Sequence, residues 1–195
     1  MLRALVLTAA VAASTVTLAC VPAVAQAPAK NAPPATLRSI LLEQLRSTHN
    51  KAEWFTPMNA AVAGMTPEQA RWIPQNAAGK VDPENNHSVG MLAAHLVFWN
   101  ERSLLEVKGE KPAAFGGNND ETFNNFDAKR WTDIVARLDR VMTGFEQWTE
   151  KATDAQLQAA ATRLAHVGTH NAYHTGQILY VRKLQGSWNP ANGVK

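Results

Sequence analysis

Three histidines recur at four-residue steps in HVGTHNAYHTGQI, as His166, His170 and His174. On a helix, residues four apart lie about 40° apart around the axis, so their side chains stack along one face. Imidazoles stacked in this way can chelate one divalent cation through neutral ring nitrogens. Val167, Ile178 and Val181 share a side of the same segment with His170 and His174, so that pair should face a core. His95 is set among Met91, Leu92, Phe98 and Trp99, and it too should point inward. Burying imidazoles without partners costs free energy. A metal ion would satisfy them, and so would hydrogen bonds to carboxylates and backbone; a bare HxxxH spacing does not decide between the two.

Other residues border this pattern. His166 extends it, so the chelating pair can be read as His166 with His170 or as His170 with His174. His49 falls on the inward side of an earlier helical stretch, with Glu53 one turn beyond. Either is a candidate extra ligand, or a partner that fixes an imidazole tautomer through a hydrogen bond; a plain core histidine fits His49 equally. Tyr173 and Gln177 suit contacts beside the histidines, and Glu101 lies off the face of His95 and reads as surface. Trp54, Trp72, Trp99, Trp131 and Trp148 fit helix packing, with Trp54 or Trp99 also able to wall an apolar pocket. The acidic, Asn-rich stretch from Gly116 to Asp127 lacks the ligand order of an EF-hand and reads as a loop.

The elements that must position these groups are helical almost throughout. Leu41, Leu42, Leu45, His49, Ala52, Phe55, Asn59 and Val62 predict a first long helix from about Thr36 to Ala63, with Pro57 as its difficulty. Thr66-Pro67-Glu68-Gln69 is a capping box that opens a short helix ending before Pro74. Ser88 caps a second long helix running to about Lys108, with Gly109 at its end. Asp127 caps a third, whose stripe of Trp131, Ile134, Leu138, Val141, Met142 and Phe145 is the cleanest in the chain. Thr153 and Gln156 box the start of a fourth, which stops at Gly186. No strand-like alternation of useful length and no internal repeat is present. The fold class is therefore all-α, a four-helix bundle with its reactive groups projecting into the core.

With both motifs in place, the chain resembles a known family. Ser88-Val89-Gly90-Met91-Leu92-Ala93-Ala94-His95-Leu96, followed by His170-x-x-Tyr173-His174-x-Gly176-Gln177-Ile178, is similar to the DinB/YfiT-like metalloenzymes, which are DinB-like four-helix bundles. The resemblance implies a divalent metal held by one histidine of the second helix and an HxxxH pair of the last, here His95, His170 and His174. Zinc, nickel or iron suits three imidazoles, and copper is also compatible. Such an ion can lower the pKa of a bound water towards about 7 or stabilise a substrate thiolate. The resemblance implies thiol S-transfer, and metal-assisted hydrolysis is the neighbouring expectation. No residue stands out as a catalytic base; Glu53 is a candidate by proximity only. From a different class, a non-catalytic exported bundle that binds a metal or small ligand is the alternative, and purely structural histidines are a third reading.

The chain's ends and composition set where that chemistry takes place. Arg3, the apolar run from Ala4 to Cys20, and Ala23-Val24-Ala25 follow the order of a cleavable signal peptide, residues 1–25. The run is shorter than the roughly 20 residues a spanning helix needs, so no stable membrane insertion is expected after cleavage. A lipoprotein signal at Cys20 is disfavoured by Thr17 three residues before it. Cleavage removes Cys20, the only cysteine, leaving histidine and carboxylate as the available metal ligands. Residues 26–35 read as a Pro/Ala-rich tether, 36–187 as the bundle and 188–195 as a tail. With 19 Lys+Arg against 16 Asp+Glu and no basic run, nucleic acid is not an expected partner. The expectation is an exported protein, periplasmic or secreted, acting on a small molecule; a homodimer is compatible with it.

Overall fold

The computed structural model describes residues 33–193, apart from 83, 84 and 125. The expected signal peptide and nearly all of the expected tether lie outside the described residues. Residues 35–195 group as one compact unit. Among the described residues six α-helices carry it: α1 (Leu37–His49), α2 (Met58–Val62), α3 (Pro67–Arg71), α4 (Val89–Val107), α5 (Trp131–Lys151) and α6 (Asp154–Gln185). No strand occurs among the described residues beyond one isolated bridge between Gln75 and Val81. No described helix is long and apolar enough to cross a membrane.

The helix starts follow local chemistry. Thr36, Thr66 and Thr153 each accept from the backbone N–H three residues on, and Ser39, Gln69 and Gln156 close the three capping boxes. The Ser88 hydroxyl caps α4 by accepting from Met91 N. At the far end of α6, Gly186 turns left-handed at φ 74°, a conformation open to glycine at no steric cost.

The four long helices form a square in which α1 and α4 each pack against both α5 and α6. Leu41 and Leu45 of α1, Leu92 and Leu96 of α4, Leu138 and Phe145 of α5, and Leu164 and Ile178 of α6 fill the middle. Each fully buried side chain of this kind contributes about 1.5–3 kcal/mol relative to exposure. Polar clamps fix the ends. Arg38 of α1 donates to the carbonyls of Thr149 and Ala152, at 2.5 and 2.7 Å, and so closes the C-terminus of α5 where the chain turns into α6. Arg182 is buried near the end of α6 and donates to the carbonyls of Ala61, Ala63 and Ser187.

Two expectations about the elements are corrected. The first helix ends at His49 rather than at Ala63. Pro57 would deny Glu53 its helical hydrogen bond and clash with that turn, and it disfavours a helical Thr56 before it. The chain leaves the helix at Asn50 and re-enters at α2, with Pro57 at the N-cap position. Trp54, expected to pack, therefore lies in the connection and is 95% exposed. Asp127 caps not α5 itself but a 3-10 turn, Ala128–Arg130, that runs into α5 at Trp131. At the other end of the chain, Trp188 is buried against the Arg182 guanidinium, 5.1 Å from its ring centroid.

Candidate metal centre

His95 sits on the buried side of α4, between Leu92 and Leu96, and is 3% exposed. His174 lies on the buried face of α6 beside Thr175 and Ile178 and is 6% exposed, while His170, one turn earlier, is half-buried. Packing of α4 on α6 brings the three together. Each offers a ring nitrogen, and these atoms all lie within 4.8 Å of one another. The Nε2 atoms of His95 and His170 are 3.0 Å apart. The ring centroids of His174 stand 4.7 Å from those of His95 and 4.6 Å from those of His170.

The hydrogen bonds behind the rings fix which nitrogens are free. The Thr122 hydroxyl donates its only hydrogen to the carbonyl of Asn119, at 2.6 Å. Its oxygen can then only accept from His95 Nδ1, 2.5 Å away. His95 therefore carries its proton on Nδ1 and leaves the Nε2 lone pair facing the other rings. Likewise the Gln177 carbonyl oxygen, itself an acceptor, takes a hydrogen from His174 Nδ1 at 2.6 Å, and Gln177 Nε2 donates to the Tyr173 hydroxyl. Two imidazoles are thus held in the tautomer that presents Nε2 as a ligand, the arrangement typical of metal-bound histidine.

Burial makes all three poor bases. Desolvation first, and then the neighbouring histidines, hold His95 down to about 3. Burial followed by the His170 charge brings His174 to about 4, against the opposing pull of Gln177, and burial lowers His170 too. Neutral imidazoles are the form that coordinates a cation. Phe123 covers one side, its ring stacked on that of His95 at 4.0 Å and 3°.

The sequence from residue 56 to residue 178 matches the model of the DinB superfamily. The chain belongs to that superfamily. The match spans His95, His170 and His174, and it bears out the resemblance read from the two motifs around them. No curated protein and no solved structure gives a significant match. In this DinB-superfamily chain the donor set, three neutral imidazoles with two of their Nε2 lone pairs pre-aimed, fits a divalent ion.

The other residues singled out from sequence fall elsewhere. His49, 1% exposed, has both nitrogens engaged by α5, Nδ1 with Glu146 at 2.6 Å and Nε2 with Asp139 at 3.0 Å. With both ring nitrogens taken by carboxylates of α5, His49 pins α1 to α5 and is not part of the trio. Glu53 pairs with Lys51 at 2.7 Å in the α1–α2 connection. His166 is exposed and lines the same cleft as the trio without joining it. Glu101, expected at the surface, makes a two-pronged ion pair with Arg137 of α5 at 2.8 and 2.6 Å.

Three contributors escape the sequence reading. Thr122 ends a 3-10 turn, Asn119–Thr122, inside the segment read as a plain loop, and Phe123 follows it. The signals present were Asn118, whose side chain caps that turn, and an aromatic residue set in a polar stretch. His87, just ahead of α4, leans on the outer side of this group with its ring 4.0 Å from Phe123.

Proposed function

We propose that this protein is a divalent-metal-dependent enzyme whose ion is held by His95, His170 and His174. The observation that carries the reading is the hydrogen bonding of Thr122 and Gln177, which leaves the Nε2 lone pairs of His95 and His174, on two helices, free in a cluster of three close imidazoles. A bound ion would supply a Lewis acid able to polarise a carbonyl or to stabilise a thiolate. The protein's own groups do the rest. Thr122 and Gln177 orient their imidazoles, and Phe123 keeps water from one face of His95. Trp99 and Val167 wall a cleft of about 900 Å³ that leads from the trio along α4 and α6, a size suited to a small-molecule ligand.

Thiol S-transfer and metal-assisted hydrolysis are the two reactions this arrangement serves, with zinc, nickel or iron as the ion. Glu53 is not a lining residue of the cleft, whereas His166 lines it. The proposal extends to export, on the signal-like order of residues 1–25. Protein recovered outside the cytoplasm should begin at Gln26, and an intact N-terminus on such protein would remove that part.

Elemental analysis of the purified protein tests the site. About one divalent ion per chain is expected, and the His170→Ala/His174→Ala variant should hold none. Metal content unchanged in that variant would sink the site. Loaded protein offered thiol–electrophile pairs, esters and amides should then turn over one class in a His95-dependent way. Metal binding without any such turnover would make the protein a binding bundle instead.

A further inference from the structure

The α4–α6 cleft beside the trio is lined by bases and by no acid. Among the described residues that line it, five are histidines and one, Arg163, carries a permanent charge; none is an aspartate or a glutamate. Two carboxylates come near its rim, Glu106 by pairing with Arg163 and Asp120 by lying close to His87, but neither is a lining residue. Three neutral imidazoles leave the charge of a bound divalent ion uncancelled. The loaded cleft is then positive at the trio and positive again at Arg163, with nothing acidic along its walls.

The two positive ends stand a set distance apart. Arg163 precedes His170 by seven residues, almost two turns, so the pair share a face of α6 about 10.5 Å apart along its axis. His95 meets His170, while Glu106, further along α4, meets Arg163. The two helices are thus antiparallel, and the cleft runs between the trio and the Glu106–Arg163 ion pair. The Arg163 guanidinium is half-exposed and gives Nη1 to Glu106, its one acceptor among the described residues. With five N–H donors in its fork, it keeps others for a ligand. We propose that the cleft takes an anionic small molecule, with a metal-binding head at the trio and a carboxylate received by Arg163. This assigns Arg163 as a specificity-determining residue and rests on the metal reading of the trio. A guanidinium fork matches a carboxylate in shape and charge, and Trp99 and Val167 cover the chain between the two ends. A ligand with an amine in place of the carboxylate would face like charge at Arg163 and be turned away.

The test uses the cobalt-loaded full chain and two probes, 8-mercaptooctanoic acid and its primary amide. Both are long enough to reach from the trio to Arg163, and they differ only in the charge of the far end. Binding is read from the cobalt visible bands. Wild type should bind the acid about fivefold more tightly, the upper end for a partly exposed ion pair, and high salt should shrink the difference. Arg163→Gln should abolish the preference, whereas Glu106→Gln, which removes a competing carboxylate, should retain it. Equal binding of the two probes by wild type, or a preference that survives in Arg163→Gln, would overturn the assignment while the cobalt spectrum still upheld the site. A preference lost equally in both variants would trace it to the bracing of α4 against α6 and overturn the assignment as well. Absence of cobalt bands in wild type would overturn both this inference and the metal site.

Discussion

At the scale of single residues, the site is organised from behind the ligands. Three imidazoles set close together remain free to rotate or to exchange tautomers unless something holds the opposite nitrogen, and Thr122 and Gln177 do so here. Thr122→Val keeps the shape of the side chain and removes the acceptor. Metal affinity, measured by competition with a chelator, should fall about 10–100-fold with little change in fold; an unaltered affinity would show that Thr122 does not position His95. The ligand types were legible in the sequence because HxxxH and an inward His95 are properties of helical spacing. Thr122 was not. A hydroxyl in a loop becomes meaningful only through a partner 27 residues away.

At the scale of elements, capping chemistry was the most readable feature. Thr66, Ser88 and Thr153 mark helix starts that the structure places as expected. The end of α1 was less readable, because a helical spacing continues through Ala52, Phe55 and Asn59 while the helical backbone does not. Trp54 shows the difference: its neighbours' periodicity argued for packing, yet it stands in solvent. Trp54→Ser should accordingly shift stability by no more than about 0.5 kcal/mol, and a loss several times larger on thermal unfolding would mean that the aromatic ring packs after all. Arg182 is the opposite case, a charged residue on the last helix whose burial no periodicity announces. Its guanidinium satisfies three carbonyls from α2, its own C-terminal turn and the segment after α2, and burial lowers its pKa. Arg182→Met strands those acceptors and should cost about 3 kcal/mol, seen as a midpoint about 6–12 °C lower.

At the scale of the whole molecule, the buried trio couples folding to pH. His95 and His174 are held down to about 3 and about 4 in the folded protein, chiefly by burial, and in the unfolded chain they titrate near 6.5. Above the unfolded value both states leave these rings neutral, so pH has no hold on stability through them. As pH falls below about 6.5 the unfolded chain takes up protons that the folded chain refuses, and stability declines until the folded values are reached. The slope is at most about 1.4 kcal/mol per pH unit for each ring. The metal-free protein should therefore melt several degrees lower at pH 5 than at pH 7. Replacing both rings, in His95→Gln/His174→Gln, should flatten that dependence. Saturating divalent ion at about a thousand times its Kd should add about 4 kcal/mol at neutral pH, an addition that protons compete away in acid because only neutral imidazole coordinates. Melting curves across this range, with and without ion, separate the two contributions. An identical acid slope in the wild type and the double variant would mean that the trio is not what ties this fold to pH.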